Sequence, residues 1–428
     1  MSGRLKILIS AYACSPYQGS EPGVGWGFVR ALAEQHELWV IVEEEKFRAD
    51  IERYLKDHPQ LSQTVHFQFI SKRRNRALRK LWPPSYYWYY RRWHQQALLL
   101  AQRLHREVGF DLAHQLTMVG FREPGYLWQL DVPFIWGPVG GLGPFPWRFI
   151  PQLGANGAAY YLGYNIYNTL QTRFMTRPRQ AARRAGVGLL TATPDNQREA
   201  RKHWGCESTV MVEVGLPREP VLDVYSRATD EALRIVWSGL HVPRKALNLG
   251  LQALATLART TEQAWELHVL GEGPKTEEWR AQATRLGLAE RCHFHGWLPR
   301  EQALAVMERA HVMLITSLRD LTSTVTVEAM ALGLPIVCLD HCGFAHVVDE
   351  SCGIKVPVTN PSDVIAGLSA ALSQLIADEP RRQQLARGAL LRAKSFDWRH
   401  KIKALNRIYA ARLQEAGAEL SATPQESR

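Results

Sequence analysis

Asp320 and Glu328 stand eight positions apart in the run LRDLTSTVTVEAMALGLP (318–335). The residues between them have a strand-like composition, yet the run leads into EAMALG, which favours helix. Two carboxylates set across such a junction could hold hydroxyl groups at two points of one ligand. Thr322, Ser323 and Thr324 are residue types that cap helices, so the pattern predicts a helix starting at Thr324 or Val325, with Glu328 about one turn inside. The first turn would leave backbone N–H groups open to an anion. Hydroxyls on both sides of a phosphate describe a nucleotide-sugar. The plain alternative is a capped helix with an acid in its first turn and an unrelated loop Asp.

Other segments bear on the choice. SGLHVPRKALN places Gly239, His241, Arg244 and Lys245 after a strand, and two cations there could neutralise a diphosphate and stabilise it as a leaving group. The alternative is a solvated basic loop. LGEGP supplies Gly271, Glu272 and Gly273 at another strand end. GWLP (296–299), with Trp297 and Leu298, follows a strand directly, where backbone groups could meet a base edge, and Ser317 closes HVMLITS.

These residues need elements to position them. At 428 residues the chain exceeds what one core usually serves, so two domains are expected. KILIS (6–10), the Gly/Pro-rich stretch containing Gly19, Glu21, Gly23 and Gly25, a helix over 24–34 and ELWVIV (37–42) form a βαβ opening. DLAHQ, PFIWG and VGLLTATP continue it. The pattern restarts at ALRIVWSG (232–239) and runs through five further strands to GIKVPV (353–358). Strands alternating with helices imply parallel sheets covered on both faces. The fold class is therefore α/β with two doubly wound, Rossmann-like domains: 1–216, a linker over 217–231, and 232–396. A helix over 397–414 and a disordered tail over 415–428 follow. Ligands of open parallel sheets bind at the carboxyl ends of strands, and a cleft between two such domains is the expected site.

The net charge of +11 is uneven. Residues 1–216 hold 27 Lys/Arg against 17 Asp/Glu, whereas the remainder holds 25 against 24. The run 71–93 carries eight cations, seven Trp or Tyr and no acid, and no acid occurs between Asp131 and Asp195. Aromatics beside cations fit an anionic membrane surface, through 71–93 and 144–184. They would also fit nucleic acid, or a buried aromatic cluster with a basic rim; of the functional readings, the membrane suits a nucleotide-sugar domain better. The six cysteines show no paired framework, and neither they nor CHFH (292–295) have metal-ligand spacing. No metal and no cofactor is expected. The opening apolar run is too short for a signal peptide, and no stretch approaches the roughly 20 apolar residues of a membrane span. The expected location is cytoplasmic, peripheral on the inner face of the membrane.

The ordered set GLHVPRKA, LGLQAL, LHVLGEGP, FHGWLP and D(x7)E-AMALGLPIV resembles the donor domain of retaining glycosyltransferases of family 4, which have the GT-B fold. The resemblance covers most of 232–358, and FDWRHKIKALNRIYAARL is similar to that family's closing helix, which crosses back to the N-terminal domain. The N-terminal half is similar more loosely, through GSEPGVGWG and a DxxH strand exit at Asp111–His114. The resemblance implies Glu328 on the ribose and Asp320, in place of the family's first Glu, on hydroxyls of the transferred sugar. It implies Lys245 on the diphosphate, the amides of Ser323, Thr324 and Val325 on its outer phosphate, Leu298 near the base, and His114 as the nearest candidate for the family's histidine. The acceptor would be a glycan or a lipid-linked sugar. Three positions depart. Leu240 replaces an Arg, whose charge would come from Arg244 or His241; Thr322, Ser323 and Thr324 replace Gly-aromatic-Gly; and Leu116 stands at the second His of HxH. A nucleotide-sugar epimerase and a non-catalytic binding protein are the alternative readings.

Overall fold

The computed structural model describes residues 3–72, 85–216, 219–228 and 230–422. It divides into two compact units. Unit 1 comprises the chain up to Gly143, Asn168–Gly215 and the chain from Trp398 onward; unit 2 comprises Pro144–Tyr167 and Leu216–Asp397.

The sheet of unit 1 contains β1 (Lys6–Ala11), β2 (Glu37–Glu43), β3 (Val65–Ile70), β4 (Leu112–Thr117), β5 (Phe134–Val139), β6 (Leu189–Thr191) and β7 (Thr209–Val210). Its order is β3-β2-β1-β4-β5-β6-β7, all parallel. The sheet of unit 2 contains β8 (Leu233–Ser238), β9 (Trp265–Leu270), β10 (Cys292–Gly296), β11 (Val312–Ile315), β12 (Ile336–Leu339) and β13 (Gly353–Val356), in the order β10-β9-β8-β11-β12-β13 and again parallel. In each sheet the first strand lies centrally and the chain then reverses direction across the sheet. This reversal, between β1 and β4 and between β8 and β11, is the topological switch point of a doubly wound fold.

Burial explains the strand compositions. Parallel strands covered on both faces read as continuous apolar runs, and β4, β5, β11 and β12 are buried throughout. In unit 2, Ile235 and Trp237 of β8, Leu267 of β9 and Leu314 of β11 form one core with Leu254 of the helix Leu247–Thr260 and Leu372 of the helix Pro361–Ala377.

Several boundaries differ from the sequence expectation. Residues 144–167, placed by sequence with the first domain, pack into unit 2: Phe145, Phe149, Ile150 and Tyr161 are buried in its core. Asn165 secures them by bonding both the amide and the carbonyl of Phe145, each at 2.8 Å. Part of the aromatic segment proposed to meet a membrane therefore serves a core. The expected linker, 217–231, also belongs to unit 2, where Val221 N donates to Ala331 O and Arg227 pairs with Glu379 at 3.3 Å. The last helix runs over Trp398–Ala422 rather than stopping at 414, because Glu415 and Glu419 take ion pairs from the buried Arg412. Residues 73–84 of the basic run and 423–428 of the tail lie outside the described residues. Among the described residues, no helix is long and apolar enough to cross a membrane.

The glycine-rich stretch after β1 is also different in kind. The first helix starts at Ser20, with Gly19 as its N-cap, so Glu21, Gly23 and Gly25 are helical and do not form a loop. A Cβ on Gly25 would overlap the Ala13 carbonyl oxygen, and one on Gly23 would stand 2.7 Å from Gln18 O. These glycines permit close packing. Glu21 accepts from Val119 N at 2.6 Å, and burial outweighs that bond to raise its pKa.

Candidate active site

The carboxyl ends of β8 and β11 meet at the switch point of unit 2, and hydrogen bonds fasten their loops together. Thr316 Oγ1 donates to Lys245 O at 2.7 Å and accepts from Trp237 Nε1 at 3.0 Å. Leu318 N donates to Arg244 O at 2.9 Å, beside the buried Ser317. The fastening turns Arg244 and Lys245 toward Asp320. Lys245 Nζ pairs with Asp320 Oδ2, and Arg244 Nη1 lies 3.5 Å from Oδ1 while donating to Arg319 O at 3.0 Å. Burial alone would raise the Asp320 pKa, but the charges of Lys245 and then Arg244 prevail and hold it below the ordinary value. A carboxylate facing two cations stays ionised.

Glu328 has a different partner. Arg300, from the helix Arg300–Glu308 that follows GWLP, reaches Glu328 Oε1 through Nη2 at 2.7 Å and Nε at 3.2 Å. Oε2 of Glu328 has no protein partner among the described residues. The helix Thr324–Ala331 begins where the sequence pattern places it. Its N-cap, Ser323, has φ +67° and ψ 129° and makes no side-chain cap bond. The capping expected of Ser323 therefore fails: its backbone adopts a conformation that favours glycine, and its hydroxyl makes no capping bond. The first amides of the helix remain open to a ligand.

The neighbouring loops depend on close backbone approach. Gly271 has φ +107°, and a Cβ there would overlap Gly239 O; one on Gly273 would stand 2.6 Å from His241 O. Gly271 N donates to Gly296 O at 2.9 Å and His241 N to Glu272 O at 3.0 Å, which draws the ends of β8, β9 and β10 together. Beyond them Trp297 is exposed and Leu298 half-buried.

A cleft of about 740 Å³ opens at these strand ends. Leu240, Arg244, Lys275 and Arg319 line it together with Leu153 and, from the helix Gly154–Phe174, its first residues, Tyr160 and Tyr161. All of these residues belong to unit 2.

Residues 226–391 match the family model described as Glycosyl transferases group 1. This segment belongs to that family. D-inositol 3-phosphate glycosyltransferase of Corynebacterium diphtheriae is 27% identical over 240 residues, which are 52% of this chain and 55% of the relative. The chain spans about half the length of the curated relatives it matches. Among solved structures, the lipopolysaccharide outer core galactosyltransferase WaaB aligns with a TM-score of 0.60 at 13% identity, over 95% of this chain and 99% of that one. Anabaena Alr3699/HepE in complex with UDP-glucose aligns with a TM-score of 0.56 at 15% identity, over 98% and 100%. The fold is thus GT-B, with two parallel-sheet Rossmann-like units.

Within the group 1 segment the structure brings together Arg244, Lys245, Ser317 and Asp320, and separately Glu328 with Arg300. It removes His241 as a substitute cation for Leu240. His241 is fully buried, its Nδ1 lies 2.8 Å from Thr276 Oγ1, and burial lowers its pKa, so it stays neutral. His114, expected at a catalytic position, is buried in the middle of β4. Its Nε2–H donates to Gly137 O at 2.8 Å, so Nδ1 accepts from Tyr409 Oη at 2.7 Å. Burial pushes its pKa down to about 4. It is a structural histidine, because Asp111 precedes β4 and the DxxH spacing marks a strand start rather than an exit. Leu116 is likewise buried. Among the described residues, no group of three or more His, Cys, Asp and Glu is placed to hold a metal.

Sequence reasoning missed Arg300, Arg319, Lys275 and the 153–161 segment. Arg319 and Lys275 adjoin the motifs already singled out, and their positive charge was the available signal. Nothing local links Arg300 to Glu328 or residues 153–161 to the cleft.

Proposed function

We propose that the chain is a retaining glycosyltransferase that moves a sugar from a nucleotide diphosphate sugar to a glycan or lipid-linked acceptor, in polysaccharide or glycoconjugate synthesis. The observation that carries this reading is the switch-point cleft. Arg244 lines it and joins Lys245 and Asp320 at the strand ends of a domain that also presents Glu328 and an uncapped helix start. Arg244 and Lys245 would stabilise the leaving diphosphate, assisted by the amides of Ser323, Thr324 and Val325. Glu328, steadied by Arg300, would take ribose hydroxyls on its open Oε2, and the Leu298 backbone would meet the base. Asp320 would hold the two cations in place and contact the sugar only with what remains of its lone pairs. Retention requires attack from the face the leaving group departs, and this demands charge and amides more than a strong base. The reading therefore assigns the charge neutralisation to side chains and not to a metal. Solved structures of the same fold include one with UDP-glucose, which supports a nucleotide-sugar as the donor class.

The reading extends to the cytoplasmic face of an anionic membrane. In unit 1, Tyr87 and Trp88 are exposed beside Arg91 and Arg92; in unit 2, Trp147, Tyr160 and Tyr167 are exposed. Such residues suit a headgroup layer. Flotation with liposomes that contain or lack anionic lipid tests this part, and equal partitioning would sink it.

The transfer itself is tested with a panel of UDP-, GDP- and ADP-sugars, by following nucleoside diphosphate release. Release from one donor that an acceptor accelerates, and that Glu328→Ala abolishes together with donor binding, supports the assignment. Full activity of Glu328→Ala would refute the site.

A further inference from the structure

The cleft at the ends of β8, β9 and β11 receives three cations, and they differ in how far their charge is already spent. Lys275 Nζ is paired with Glu278. Arg244 shares Asp320 with Lys245 and gives one N–H to Arg319 O. Arg319 has no carboxylate at ion-pair distance among the described residues. Among the described residues its side chain donates from Nη2 to Tyr164 Oη, an uncharged acceptor, and its guanidinium lies over the Tyr164 ring at 4.2 Å from the centroid.

An arginine has five N–H donors in a planar fork. Arg319 spends one of them, and the aromatic face fixes the plane of the rest. The opposite requirement, a wall without competing charge, is met by Leu240, which is 56% exposed and lines the same cleft. The buried, neutral His241 contributes nothing there. A rigid guanidinium with no carboxylate partner, in a cleft whose other cations each face one, is suited to bidentate recognition of a phosphoryl group.

We propose that Arg319, held by Tyr164, is a further phosphate-binding residue of this cleft, beside Arg244 and Lys245, and takes two oxygens of the donor's diphosphate. The inference rests on the nucleotide-sugar reading above and adds a residue that helps set its affinity for the diphosphate part.

The test uses the full chain, isothermal titration calorimetry with UDP, GDP and ADP, and ligand-observed NMR with the matching nucleosides. Arg319→Met should weaken the preferred diphosphate roughly ten- to hundredfold while nucleoside binding persists. Arg319→Lys should recover only part of the loss, because an ammonium cannot present a fork. Leu240→Arg placed in the Arg319→Met background should restore much of the affinity, since it returns a cation to the same cleft; this also shows that the fold is intact. Diphosphate binding by Arg319→Met equal to that of the unaltered chain overturns the inference, as does parallel loss of nucleoside binding without rescue by Leu240→Arg. If the unaltered chain binds none of the three diphosphates, the donor reading falls, and the inference falls with it.

Discussion

Asp320→Asn separates two roles that the structure gives one carboxylate. Asp320 is 17% exposed and Lys245 9% exposed, so the pair is poorly solvated, and Arg244 adds a second cation 3.5 Å away. Removing one partner of a buried pair leaves the other charge uncompensated, at a cost of about 3–5 kcal/mol. Asn keeps a carbonyl oxygen as acceptor, so the low end, about 3 kcal/mol, applies. Unit 2 spans Pro144–Tyr167 and Leu216–Asp397, a size at which 1 kcal/mol moves Tm by about 2–4 °C. The expected fall is therefore about 6–12 °C.

The pH dependence follows from the sign of the shift. Asp320 has its folded pKa depressed, so its contribution is fully present above the ordinary value near 3.9 and is lost only as pH falls through the lower folded value. The penalty of Asp320→Asn should accordingly be constant from pH 5 to 9. An anion in the cleft should reduce it, because Lys245 and Arg244 then face a diphosphate, so nucleoside diphosphates should raise Tm more in the variant than in the unaltered chain. Differential scanning fluorimetry at several pH values measures both effects. A matched variant, Glu328→Gln, sets the scale: Arg300 is 53% exposed, and such a pair contributes at most about 1 kcal/mol. If Asp320→Asn and Glu328→Gln lowered Tm equally, the view of Asp320 as the counter-charge of Lys245 and Arg244 would be wrong.

Three further outcomes are expected. Ser323→Gly should stabilise unit 2 by about 1 kcal/mol, because relief of a conformation that favours glycine exceeds the added freedom of the unfolded chain; urea unfolding with a lower midpoint would contradict the Ser323 backbone. Gly25→Ala should destabilise unit 1 by about 2–3 kcal/mol through overlap with Ala13 O, although helix propensity alone predicts about 1 kcal/mol of gain. Acidification should destabilise the fold through His114, whose folded pKa of about 4 lies below the ordinary 6.5. Its contribution is complete above pH 6.5 and declines as pH falls toward 4, by about 2 kcal/mol at pH 5. His114→Gln should flatten the stability profile in that window by one proton.

What the sequence disclosed was what local spacing determines. β11 and β12 are legible because a strand buried on both faces must be apolar throughout, and the helix start at Thr324 follows from the loop-to-helix change around it. Partners distant along the chain leave no such trace. Arg300 finds Glu328 across 28 residues and Arg319 finds Tyr164 across 155, and neither interval has a signature. The aromatic segment 144–167 was ambiguous for a physical reason, since Phe and Tyr satisfy a headgroup layer and a protein core alike. Glycine misled at 19–25 because it reads as freedom of the chain, whereas at Gly25 its use is the absence of a Cβ against Ala13 O.

The two acids at 320 and 328 look equivalent in sequence and are not. One lies between two cations in a poorly solvated setting and keeps them from repelling each other. The other holds one solvent-facing arginine and leaves an oxygen open. Spacing located both carboxylates, but their charge environments depend on residues 244, 245 and 300, which come from two other segments of the fold. A substitution that conserves shape and removes charge should therefore fail at the first position and be tolerated by the fold at the second.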